Sequence, residues 1–439
     1  MQSLQQIAAC VAGYDPNALP VTKASEFIAR LVPRVQAVES LAIRSALGRV
    51  LAHDLVSGID VPSHDNSAMD GYALRSADLL GAADTLIGVA GTAFAGTPFG
   101  DTVAIGQGVR IMTGAVMPDG LDTVVPQEFT RTEADGRIRI PQGSVKPGDN
   151  RRLRGEDLAR GEAALKAGRI LTPADLGLLA SLGHAEVAVY RRLRVAFFST
   201  GDELRSVGEP LAAGCVYDSN RYTIWGMLTR LGVELLDLGA VRDEPAALRT
   251  AFTQAAACAD AVITSGGVSV GEADHTKQIM AQLGEVLFWK IAMRPGRPMA
   301  IGRIGSGSQN GESSSVIGEA GHQAILFGLP GNPVAVMVTF YAFVRDALLA
   351  MSGATPQPLA PLRAVSQATL RKKPGRTEYQ RGIVSQGEDG RWQVRITGSQ
   401  GSGILRSMSQ ANGMVVLHHD QGDVAAGDLV DVIAFDGLV

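Results

Sequence analysis

The chain is poor in cysteine. Its three, Cys10, Cys215 and Cys258, stand far apart with no Cys-x-x-Cys pair. That spacing excludes a disulfide framework and a thiolate zinc site, and fits a reducing cytosol. Long apolar runs are missing too: the most apolar helix candidate, Val334–Met351, is interrupted by Arg345 and Asp346. A membrane span needs roughly 20 predominantly apolar residues, so a buried helix is expected there. Met1 to Pro20 shows no basic stretch followed by an apolar core, and a signal peptide is not expected. Aromatics make up 5% of the chain and are rarely interleaved with basic residues, while the net charge is -4. No global field favours nucleic acid or an anionic membrane, so a bound anion must be held by local cations and backbone amides. The seven histidines show no ligand spacing. A soluble, cytoplasmic protein is expected.

What is present is ordinary globular material: 439 residues, 46% hydrophobic and 19% charged, enough for three or four domains. Val21–Val32 reads as an amphipathic helix stopped by Pro33, and Ser40–Leu55 as a second helical stretch. Short apolar runs broken by glycine and proline follow, the pattern of a small β-rich module over 61–150. Thr172 and Pro173 open another helix, which groups 20–60 with 151–187 as a helical linker domain. From 188 to 354, strand and helix alternate: strands at Arg194–Phe198, Val233–Leu238 and Ala261–Thr264, helices at Arg221–Leu231 and Pro245–Ala257. Asp243 or Glu244 is expected to cap the latter. Such βα units predict a doubly wound α/β domain with a parallel sheet, whose ligands bind beyond the strands' carboxyl ends. Gly305–His322 reads as a Gly/Ser-rich insertion between strands. From 357 to 439 the pattern is β again, a C-terminal barrel.

The candidate chemistry sits where strands end. Arg194–Glu203 and Ala261–Asp274 each pass from an apolar strand into small polar residues and then carboxylates. Glycines admit backbone N–H groups to a phosphate, and hydroxyls add donors. The carboxylates suggest a bridging Mg2+, which prefers oxygen ligands. Leu329-Pro-Gly-Asn-Pro333 precedes the apolar helix, with Asn332 as expected cap and Pro333 in the first turn, leaving free N–H groups for an anion. Lys290, Arg294 and Arg297 crowd one turn at Pro295-Gly296, and their apolar neighbours imply that they rise from a buried strand. Arg376, Arg381 and Ser402 are further anion donors. Arg151, Arg152 and Arg154 precede Asp157. Asp70 and Thr113 each lie beside a glycine turn.

Five runs in order resemble the MoeA family, which includes the E-domain of gephyrin: Asp65–Ala73, Ile111–Ala115, Phe198–Glu203, Ser265–Gly271 and Leu329–Pro333. The resemblance implies a homodimeric molybdenum insertase with a central domain similar to that of the adenylyltransferase MogA. Its Mg2+-dependent reaction would place molybdate on adenylylated molybdopterin and release AMP. Molybdopterin adenylyltransferase and apo-molybdoenzymes would be its partners. By position, Glu203, Asp243 and Asp274 would serve metal and nucleotide, and Lys290 and Arg294 phosphate or molybdate. Thr200, Gly201, Asp218 and Ser219 would hold the pterin nucleotide. So would Ser265, Gly266, Gly267, Ser269 and Gly271, with Pro330, Gly331 and Asn332, assisted by Arg376, Arg381 and Ser402. Asp70, Thr113 and Asp157 would approach from the partner subunit. Where some family members carry Lys-x-x-x-Lys-Pro-Gly-Lys, this chain has Lys290, Arg294 and Arg297, keeping charge but presenting planar forks. Two other readings are the adenylyltransferase itself and a non-catalytic scaffold.

Overall fold

The computed structural model describes residues 2–268, 275–305 and 322–438, apart from 80, 82 and 358. The chain forms two compact units: residues 1–39, 48–52 and 189–439, and residues 40–47 and 53–188.

The larger unit opens with helices α1 (Leu4–Ala9) and α2 (Val21–Leu31), then builds a six-stranded sheet. In chain order it comprises β1 (Arg194–Thr200), α3 (Ser219–Arg230), β2 (Glu234–Val241), α4 (Pro245–Cys258) and β3 (Ala261–Ser265). Then come α5 (His275–Leu283), β4 (Gly284–Lys290), β5 (Pro298–Gly305), β6 (Gln323–Leu329) and α6 (Pro333–Met351). The sheet order is β2-β1-β3-β6-β5-β4. The first four strands run parallel, as expected, but β5 runs antiparallel to both its neighbours, β6 and β4, so the sheet is mixed. The short link from Lys290 to Pro298 allows only a hairpin-like return, since parallel strands need a crossover of a dozen or more residues.

β1 is buried on both faces because its pattern is apolar at every inner position. Val195 and Phe197 pack with Ile224 and Leu228 of α3 and Val336 and Phe340 of α6. Ala196 and Phe198 pack on the other face with Leu248 and Phe252 of α4 and Met280 of α5. The rings of Phe198 and Phe252 meet edge to face, centroids 5.0 Å apart. Each such side chain, fully withdrawn from water, contributes roughly 1.5–3 kcal/mol. Among the described residues α6 alone is long and apolar enough to cross a membrane, yet 61% of its apolar window is buried inside the protein. It is a core helix.

The unit ends in a closed barrel of β7 (Leu362–Ser366), β8 (Thr377–Gln386), β9 (Trp392–Ile396), β10 (Gly413–Leu417) and β11 (Leu429–Ala434). The closing order is β8-β9-β7-β11-β10-β8. Helix α7 (Leu405–Gln410) lies between β9 and β10 in sequence. The dipeptide Met293–Arg294 pairs in parallel with the start of β8, Arg294 opposite Glu378, and so ties sheet to barrel.

The smaller unit holds its own six-stranded sheet, in the order Thr123–Pro126, Gly71–Leu74, Gln107–Ile111, Thr85–Ala93, Ile138–Ile140 and Arg131–Thr132. Its helix Pro173–Ser181 is capped by Thr172 in a full capping box. The expected helix over 40–55 is not there: Ile43–Ser45 makes one 3-10 turn, and Leu55–Val56 pairs with Ala163–Leu165. Its apolar spacing suits a helix, but Gly48 turns the chain at a φ of 72°. The linker expected to be helical is therefore mostly extended. Residues 306–321 of the expected insertion lie outside the described residues.

Candidate functional site

Three loops meet beyond the carboxyl ends of β1, β3 and β6. β3 runs into Ser265-Gly266-Gly267, both glycines at positive φ (96° and 67°). A Cβ on Gly266 would stand 2.5 Å from the carbonyl oxygen of Thr200, at the end of β1. Only glycine lets these two loops close up. A Cβ on Gly331 would be 3.8 Å from the Cα of Gly266, which brings in the Pro330-Gly331-Asn332 turn. The Ser265 hydroxyl donates to the carbonyl of Pro330 at 3.5 Å. Asn332 occupies the cap position of α6, but its side chain makes no capping bond; the same is true of Glu244 at α4. The N–H groups of the first turn of α6 are therefore not consumed by a side-chain cap. Gly266→Ala is expected to abolish ligand binding and lower the melting temperature by several degrees, since both φ and space oppose it. A thermal melt with a pterin-binding measurement checks this.

Helix α3 begins at Asp218, whose buried carboxylate accepts from the Ser199 hydroxyl (3.0 Å) and from the Arg221 N–H (3.1 Å). Its Oδ2 has no partner. Ser219 follows as the first helical residue, its carbonyl taken by the Thr223 hydroxyl. Asn220, which the sequence reading missed, donates from Nδ2 to the Ser265 hydroxyl (2.7 Å) and to the Gly331 carbonyl (2.6 Å). Its signal was present only as the third residue of Asp-Ser-Asn at a helix start.

Glu203 folds back over Gly201: a Cβ there would lie 2.5 Å from the carboxylate. The Asp243 N–H donates to Asp202 (3.2 Å), and the Thr276 hydroxyl of α5 approaches Asp243 at 3.4 Å. A Cβ on Gly267 would strike Thr276, so Asp243 stands beside the glycine loop. A groove of about 640 Å³ runs along Gly201, Asp202, Arg205, Val241 and Glu244. Ser269, Gly271 and Asp274 lie outside the described residues. Among the described residues no three acidic, histidine or cysteine side chains converge on one point. Mg2+ does not require such a cage, since one or two carboxylates and substrate phosphates usually hold it. Glu203 and Asp243 fit that donor set.

The candidate cations lie on β4, on the turn that follows it and on the barrel strand β8. Lys290, at the end of β4, is held by its backbone: its N–H donates to Pro16 (2.7 Å) and its carbonyl accepts from Leu19 (3.2 Å). The turn at Gly296 presses on α6, where an added Cβ would collide with the Thr339 hydroxyl. Lys290, Arg294 and Arg297 are exposed or partly so, and none has a carboxylate partner among the described residues. Arg376 differs: it is paired with the buried Glu378 at 2.7 Å, so its charge is already spoken for. Arg381 on β8 is fully buried. Its Nε donates to the Ser407 hydroxyl and Nη2 to the Gly401 carbonyl, both at 3.0 Å, while Nη1 has no partner. No carboxylate among the described residues neutralises it. Burial and the nearby Arg294 push its pKa down to about 10, so it stays charged at neutral pH. The Ser402 carbonyl accepts the Val334 N–H at 3.0 Å, joining this barrel loop to the start of α6.

In the smaller unit, one oxygen of Asp70 accepts both the N–H and the hydroxyl of Thr113, each at 2.7 Å. These bonds hold its carboxyl below the usual range. Asp157 sits on an exposed turn, its N–H bonded to Val61. The structure thus brings Asp70 and Thr113 together.

Glycine loops at the strand ends, together with cations that have no carboxylate partner among the described residues, are the chemistry of an anion-binding site. Residues 19–183 match the MoeA N-terminal region (domains I and II), 196–350 a probable molybdopterin-binding domain, and 363–435 the MoeA C-terminal region (domain IV). The molybdopterin molybdenumtransferase of Haemophilus influenzae is 42% identical over 402 residues, 91% of this chain and 95% of that one. Its counterpart in a Nostoc species is 36% identical, covering 94% and 93%. The crystal structure of the Pyrococcus horikoshii molybdopterin biosynthesis MoeA protein superposes with a TM-score of 0.79 at 26% identity, covering 95% of this chain and all of that one. The chain belongs to the MoeA family, the molybdopterin molybdenumtransferases of molybdenum cofactor biosynthesis.

Proposed function

We propose that the protein inserts molybdate into adenylylated molybdopterin, releasing AMP and the finished cofactor, in a Mg2+-dependent reaction in the cytoplasm. The observation that carries this reading is Arg381, a buried guanidinium with no carboxylate partner among the described residues and a free Nη1, beside Arg294. Burying an unpaired cation costs several kcal/mol, so a fold that keeps one has an anion to meet it. Molybdate is such an anion, and Lys290 and Arg294 extend the positive field toward the solvent. The glycine loops supply N–H donors for the phosphates, while α6 adds less, since Pro333 has no N–H and the Val334 N–H is already taken by the Ser402 carbonyl. Glu203 and Asp243 would hold Mg2+, which supplies charge neutralisation at the pyrophosphate when bound. The residues themselves orient the two anions side by side, so that the dithiolene and the oxyanion meet as neighbours. Incubating the purified protein with adenylylated molybdopterin, Mg2+ and molybdate should release AMP only when all three are supplied. AMP release indifferent to molybdate, or none at all, overturns the reading.

The same reading includes a homodimer in which Asp70, Thr113 and Asp157 serve the partner's loops, with molybdopterin adenylyltransferase upstream and apo-molybdoenzymes downstream. Asp70→Ala and Glu203→Ala proteins should each be nearly inactive alone. Mixed and re-equilibrated, they should regain about a quarter of wild-type activity, because half the dimers are mixed and each has one intact site. No recovery on mixing contradicts the shared site.

A further inference from the structure

We infer that Asn220 is a positioning residue that clasps the glycine loop to the turn before α6, so that the two anion-holding loops form as one unit. This rests on the molybdopterin-binding reading of those loops. Asn220 is 9% exposed, on the first turn of α3, and its single amide nitrogen donates to both loops at once. One bond goes to the Ser265 hydroxyl and the other to the Gly331 carbonyl. No other side chain among those described bonds to both loops except Ser265 itself, through its longer 3.5 Å contact with Pro330. The Oδ1 of Asn220 is buried and has no partner, so the amide is oriented by these two donations alone. Both loops carry glycines that gain no stiffness from their own side chains, and a loop left free must be ordered again at each binding event. An amide whose two N–H groups reach across removes that cost. Ser, Asp or Leu cannot substitute: each lacks two donors on one atom.

The test compares full-length wild type, Asn220→Ala and Asn220→Asp. In AMP release, Asn220→Ala should raise KM for adenylylated molybdopterin about tenfold or more while kcat stays within about threefold, the pattern of lost uniform binding. Asn220→Asp keeps the shape, and its carboxyl can donate to Gly331 only when protonated. Ionised at neutral pH, it should raise KM at least as much as Asn220→Ala does. In the ligand-free proteins, amide hydrogen exchange at Gly266–Gly267 and at Gly331 should quicken together in Asn220→Ala. Unchanged exchange, or a lower melting temperature with wild-type KM, overturns the clasp. If the wild type releases no AMP, the functional reading fails, and the exchange measurement still decides the clasp.

Discussion

Arg381→Met is expected to lose molybdate-dependent AMP release by a factor of about a hundred or more while keeping its fold. Two effects oppose each other in its stability. The variant sheds a buried cation without a counterion, whose desolvation costs several kcal/mol. It also leaves the Gly401 carbonyl and the Ser407 hydroxyl each short of one bond, worth about 1–3 kcal/mol apiece. The two are of similar size, about 2–6 kcal/mol lost against several gained, so in molybdate-free buffer the variant should melt within a few degrees of the wild type. The sign of the pH dependence follows from the depressed pKa. Below about pH 10 both folded and unfolded wild type hold the proton, and the burial cost is fully present. Above that pH the folded protein releases its proton first, the unfolded chain binds more protons, and the stability of the wild type rises relative to the variant. A variant that melts much earlier and keeps its activity would mark Arg381 as a structural residue only.

Arg294 is the second large effect. It is exposed on the turn between β4 and β5, and no carboxylate among the described residues neutralises it. Hydrogen bonds to charged groups contribute about 1.5–3 kcal/mol each, so Arg294→Ala should raise the molybdate concentration for half-maximal insertion roughly ten- to a hundredfold. Excess molybdate should partly restore the rate. Arg294→Lys should remain near wild type, since a point charge suffices to attract a dianion even without the fork. An alanine variant with lowered melting temperature and unchanged molybdate dependence would show that Arg294 only joins sheet to barrel through its backbone pairing with Glu378.

Much of this was legible in the sequence because the signals are local. The period-two and continuous apolar runs of β1, β3 and β6 mark their strands, and Gly-Gly and Pro-Gly-Asn mark where they end. The 40–55 stretch misled because helical spacing of apolar residues is also met by strand pairing once Gly48 turns the chain. The reversed direction of β5 was not legible, since strand direction depends on connection geometry rather than on residue pattern. Within the site, charge type was readable but neutralisation was not: Arg376 and Arg381 lie five residues apart on similar backgrounds. Only the fold gives Arg376 a carboxylate and leaves Arg381 without one. Asn220 was missed for the same reason, because both its partners are more than forty residues away in sequence.

If the cations between sheet and barrel form the molybdate site, equilibrium dialysis of molybdate against the purified protein shows it most directly. The wild type should hold one molybdate per chain, Arg381→Met none at the same concentration, and Arg294→Ala a fraction that recovers as molybdate is raised. Equal molybdate retained by all three proteins would contradict the account.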